Sequence, residues 1–129
     1  MPHDTTRAGE LLAPPEVKLL ARALTEWGGP AHCSDQLAYG MGFADRQNLL
    51  DECRRLRAAL KSDAPLSPAD WARTLLAAEI VFVSDLVGSG VEWPTTTGYD
   101  DAETLATLRS IQRKLSRTIS PYYGSRPGS

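Results

Sequence analysis

The sequence predicts an all-α domain. Three observations carry that expectation. Apolar residues recur at helical spacing in five separate stretches, these stretches are bounded by capping or breaking residues, and none alternates with the period of two expected of a strand. The expected architecture is a compact bundle of about five helices, with one long loop, residues 88–99, before the last. Residues 14–119 form the expected domain, between a flexible segment 1–13 and a flexible tail 120–129.

The first helix is expected to start at Pro14–Pro15, where proline suits the first turn, and to stop at Gly28–Gly29–Pro30. Val17, Leu20, Ala21, Leu24 and Trp27 share its apolar side. A short second helix runs over 34–41 from Ser34, an N-cap, to a stop at Gly42. The third covers 45–61, with Leu49, Cys53, Leu56 and Leu60 as its stripe and Asp63–Ala64–Pro65 as its end. Ser67–Pro68–Ala69–Asp70 opens the fourth, with a cap, a proline at the first position and an acid three residues past the cap; it is expected to reach residue 87. The fifth covers 100–119, with Leu105, Leu108, Ile111, Leu115 and Ile119 turned inward.

Bulk composition excludes several classes. The 129 residues make one domain's worth of chain, with 14 basic and 16 acidic residues and a net charge of −2, so no overall basicity points to nucleic acid. Two cysteines and two histidines are too few for a disulfide scaffold or a zinc ribbon. The start of the chain carries His3, Asp4, Arg7 and Glu10 and no apolar core of a signal peptide, and no apolar run approaches the ~20 residues of a membrane span. The expected location is the cytoplasm, with Cys33 and Cys53 reduced.

The fourth helix is the most apolar, and Glu79 sits among its apolar residues. On a wheel of about 100° per residue, Ala72, Leu75, Val83 and Leu86 fall within about 40° of it. A carboxylate in that position needs a partner or a raised pKa. Arg109 and Gln112 on the fifth helix are the expected partners; the alternative is a small ligand or metal pocket around Glu79.

Charge is segregated along the chain. From Thr74 to Leu108 there is no Lys or Arg, and from Arg109 onward there is no acid. Acids at the start of the last helix and bases at its end both suit the helix dipole. Arg113, Lys114 and Arg117 are expected on its outer face, as a solvated surface or a basic stripe for a partner. In the long loop, Trp93 is expected either as a lid on the core or as a partner anchor, with Tyr99 a further partner-binding candidate.

Residues 37–55 join a short helix, a Gly-Phe turn, an Asp cap and a longer helix. They resemble the second helix-turn-helix of the arabinose-regulator family of transcription factors. Ala38, Tyr39, Gly42, Phe43, Asp45, Arg54 and Arg55 have counterparts there. The likeness covers about a seventh of the chain and implies a DNA-binding regulator using residues 34–61. Arg46, Gln47, Asn48 and Arg54 would then contact bases or phosphates. Arg46 stands where the family usually has proline, and Asp51 and Glu52 on the same face would repel phosphates.

No catalytic residue, metal or cofactor is called for. His32 and Cys33 are adjacent, and neighbouring side chains as a rule diverge, while Glu79 and Asp85 are expected on different faces of one helix. The N-terminus of the second helix would activate Cys33 in part, and Asp35 nearby works against it. The expected function is a small non-enzymatic protein-binding module, an adaptor or regulator, with an unidentified protein partner and homodimerisation possible; DNA is not favoured. Glu79→Leu should keep the fold and cost less stability than Glu79→Ala. Equal melting shifts for the two would mean that Glu79 is solvated.

Overall fold

The computed structural model describes residues 5–28, 33–83 and 100–120. Six helices lie within them: α1 Ala8–Leu11, α2 Pro14–Glu26, α3 Asp35–Gly40, α4 Arg46–Ser62, α5 Pro68–Val83 and α6 Asp101–Ile119. The expected all-α class is the one observed.

Side-chain caps place four of the starts where the sequence put them. Ser34 Oγ accepts from the Leu37 amide at 3.0 Å, and Asp45 from the Asn48 amide at 2.8 Å. Ser67 Oγ accepts from the Asp70 amide at 3.1 Å, and Asp100 from the Glu103 amide at 2.7 Å. Each satisfies a backbone donor that the first helical turn leaves open. Between α3 and α4 the chain turns through Gly42 at φ 99°, a conformation that favours glycine, and the Phe43 amide closes the turn on the Ala38 carbonyl at 2.9 Å. Asp63 ends α4 in the left-handed conformation, φ 56°.

α2 lies at the centre, in contact with α4, α5 and α6. It buries Leu19, Leu20, Ala23, Leu24 and Trp27, while Val17 and Ala21 are only half-buried. α4 presents the expected stripe of Leu49, Cys53, Leu56 and Leu60, all buried. α6 buries Leu108, Ile111, Leu115 and Ile119 as expected; Leu105 does not join them. It is 49% exposed, and buried Thr104 occupies the inward position one residue earlier.

α5 departs furthest from expectation. Its buried residues are Trp71, Ala72, Thr74, Ala77, Ala78 and Val81, whereas Leu75, Leu76, Glu79 and Ile80 are half-buried and Val83 is 65% exposed. Thr74 and Ala77 belong to the side that hydrophobicity alone would assign to solvent. Two facts decide the orientation. Trp71, the largest buried side chain, lies on the inner face, and burying so large an aromatic outweighs burying one leucine. The small residues beside it let α5 approach its neighbours closely. The Thr74 hydroxyl is satisfied by the Asp70 carbonyl at 2.8 Å, and Trp27 Nε1 reaches the Ala77 carbonyl at 3.2 Å.

The N-terminal segment, expected to be flexible and outside the domain, is held against it from Thr6 onward. Thr6 and Leu66 exchange backbone hydrogen bonds of 2.9 and 3.0 Å, and Trp71 Nε1 donates to the Thr6 carbonyl at 3.2 Å. Asp63 accepts from the Gly9 amide at 2.7 Å, and Ala8 and Leu12 enter the core. The docking depends on partners more than fifty residues away, which local composition does not reveal. The long loop 88–99 and most of the tail 120–129 lie outside the described residues.

Because Ala77 is fully buried against close neighbours, Ala77→Leu should overpack the core and cost about 1–3 kcal/mol in urea unfolding. No loss would mean that α5 packs through another face.

Candidate functional site

Glu79 projects at the edge of the buried face, not from its centre. Its carboxylate accepts from Gln112 Nε2 at 2.5 Å, and Arg109 Nη1 donates to Gln112 Oε1 at 3.4 Å. Of the two expected partners, Gln112 therefore meets the acid. Arg109 is exposed and reaches it only through Gln112, because its position on α6 turns toward solvent.

Glu79 lines an open groove of about 370 Å³ between α5 and α6. Ala72, Leu75 and Leu76 form the α5 wall beside it; Gln112, Ser116 and Ile119 form the α6 wall. A second hollow of about 170 Å³ adjoins the first through Ala72 and Leu76 and runs on to Tyr39 and Met41. Tyr39 is 76% exposed, the most exposed large apolar side chain among the described residues. Arg73 forms the floor's edge there. Its Nε donates to the Gly42 carbonyl at 2.9 Å, and its guanidinium lies 5.9 Å from the centre of the Phe43 ring. The turn after α3 is thus fixed to α5, which positions Tyr39 at the end of the groove.

The expected basic stripe divides. Arg113 and Arg117 are exposed on the outer side of α6 and meet no carboxylate among the described residues. Lys114 does not belong with them. Its Nζ lies 2.7 Å from Glu16 Oε1 on α2, and the same carboxylate accepts from Ser110 Oγ at 2.6 Å and from the Ala13 amide at 2.7 Å. Burial alone would push the Glu16 carboxyl up, but the hydrogen bonds from Lys114, Ser110 and Ala13 together hold it below its ordinary range. Glu16 is one of two buried acids among the described residues, with Glu26, and receives three hydrogen bonds. Its signal in the sequence was the third helical position after Ala13, from which a glutamate reaches back to the preceding amide.

The four residues that would read DNA are committed locally or left single. Gln47 and Arg54 both donate to Asp51, at 3.0 and 3.1 Å. Asn48 accepts from the Ala44 amide at 2.9 Å, while Arg46, exposed, gives its own amide to Asp35. Arg55 joins Glu52 to Asp70 and so ties α4 to the start of α5. Burial works against the Asp70 carboxylate, yet Arg55 holds it below the usual range.

The thiols are not activated. Burial raises Cys33, half-buried beside the start of α3, where Ser34 already takes the capping position. Burial pushes Cys53 up to about 12. Among the described residues no group of three His, Cys, Asp or Glu side chains stands ready to hold a metal, and no helix is long and apolar enough to cross a membrane. His32, Trp93 and Tyr99 lie outside the described residues.

Comparison with protein-family models, curated proteins and solved structures finds no match for the chain. The functional reading therefore rests on the surface itself.

The Glu16 pin has a definite pH signature. Its folded carboxyl titrates below the ordinary value of 4.5, so its contribution is complete above that pH and is lost as pH falls through the lowered folded value. Glu16→Gln should lower stability at neutral pH by about 1–3 kcal/mol and flatten the acid limb of the unfolding profile. Parallel acid limbs for wild type and variant would refute the pin.

Proposed function

We propose that this chain is a small non-enzymatic protein-binding module, an adaptor or regulatory domain of the cytoplasm. The observation that carries the reading is a pair of open hollows, neighbours through Ala72 and Leu76, one lined by Leu75, Leu76 and Ile119 together with Glu79 and Gln112, the other reaching Tyr39. Scattered apolar side chains on a surface need no explanation, but neighbouring hollows with an exposed aromatic beside them have the form of a partner site.

A small ligand or metal pocket around Glu79 is the alternative, since Glu79 lines the same groove. Reading DNA through α3 and α4 gains no comparable support. Asp51 occupies the side chains of Gln47 and Arg54 and adds negative charge where phosphates would lie.

A photo-crosslinking residue at Ser116 in the full chain, expressed in its native host, tests the proposal. A discrete protein adduct is expected from Ser116 and none from exposed Lys61, outside the groove. Equal labelling at both positions would refute it.

A further inference from the structure

Three arginines run along the outer flank of the α6 groove wall, and nothing among the described residues neutralises them. Arg109, Arg113 and Arg117 recur every four residues, so they stand one above another about 6 Å apart, an arrangement that costs a helix a few tenths of a kcal/mol per pair. Arg7, Arg54 and Arg55 each meet a carboxylate, Arg57 and Arg73 donate to neutral oxygens, and the three of α6 form the row that shares one helix face. The dipole of α6 accounts for bases in its last turns, but Arg109 lies mid-helix, beyond its reach. Beside this row the apolar part of the groove lining is Ala72, Leu75, Leu76 and Ile119.

We propose that the α5–α6 groove takes an amphipathic helix of a partner protein whose apolar stripe is flanked by Asp or Glu residues. The inference rests on the protein-binding reading and names the chemistry of the partner. Helix in groove is the mode that suits a trough between two helices. Residues 72–79 of α5 and 112–119 of α6 each rise about 10 Å, enough for two turns of a bound helix presenting apolar side chains at i, i+3 or i+4, and i+7. Acids on one flank of that helix recur at the same spacing as the three arginines and meet them at the rim. Within the trough Glu79 keeps one oxygen on Gln112 and offers the other to a neutral donor. The apolar part of the lining distinguishes the site from a phosphate-binding surface, which requires cations and no trough.

The test titrates the full chain into a fluorescein-labelled synthetic peptide of about 18 residues, with leucines at helical spacing and glutamates on the flanks. Two control peptides carry lysines for the glutamates, or the same residues in an order that breaks the leucine stripe. Saturable binding is expected, about tenfold or more tighter than either control and weakened by salt. Arg113→Glu with Arg117→Glu should lose about tenfold while the chain stays folded by circular dichroism, Leu76→Asp should abolish binding, and Glu79→Gln should tighten it. Equal binding of the order-broken peptide would reduce the site to bare charge and overturn the proposal, as would no saturable binding or preference for a DNA duplex. Self-association of the chain that Leu76→Asp abolishes would also overturn it, by assigning the groove to a second copy. If every peptide fails while the Ser116 crosslink still captures a protein, the acidic helix falls and the protein-binding reading stands.

Discussion

How closely α5 approaches α2 and α6 determines the rest of this structure. A helix faced with leucines needs more room than one faced with small residues, and α5 buries Thr74, Ala77 and Ala78. That proximity brings the Trp27 indole onto the Ala77 carbonyl and seats Trp71 under the N-terminal segment. It also has an outward consequence. With the small residues turned inward, Leu75, Leu76 and Glu79 are left at the surface, where they become one wall of the groove.

Two glutamates show the difference between an acid that holds the fold and an acid that lines a surface. Glu16 is buried and receives three hydrogen bonds, including one from a cation; it ties the first turn of α2 to the second half of α6. Removing one partner would leave a buried charge uncompensated, which is why such an acid stabilises only as part of its cluster. Glu79 is half-buried and, among the described residues, accepts one side-chain hydrogen bond, from a neutral amide. Its remaining capacity faces the groove, which suits recognition better than support.

The helices were legible in the sequence because their boundaries are written in local chemistry. Ser34, Asp45, Ser67 and Asp100 cap the turns that follow them, and each was identifiable from its own neighbours. The stripe of α4 was legible for the same reason, since its polar and apolar sides differ sharply. α5 was not, because leucine, isoleucine and valine surround it and hydrophobicity no longer selects a face. Size selects it instead, through the fit to α2 and α6, and that fit is a property of three helices together. Lys114 was misplaced for a related reason: nothing local to α6 reveals that Glu16, nearly a hundred residues earlier, lies opposite. The N-terminal segment was misread likewise, since its partners Asp63, Leu66 and Trp71 belong to distant parts of the chain. Of the candidate site, Glu79 and Gln112 were identifiable in advance; Tyr39 and Leu76 as parts of the same surface were not, because only the docking of α3 on α5 brings them together.

The central claim is that α5 turns its small residues inward and leaves its leucines in an open groove. Hydroxyl-radical footprinting of the free chain tests it most directly, since leucine and tryptophan side chains report their own exposure. The structure predicts that Leu75, Leu76 and Leu105 are oxidised readily while Trp71, Leu20 and Leu115 are protected. Protection of Leu75 and Leu76 equal to that of Leu115, with Trp71 oxidised, would mean that α5 is rotated and that the groove does not exist.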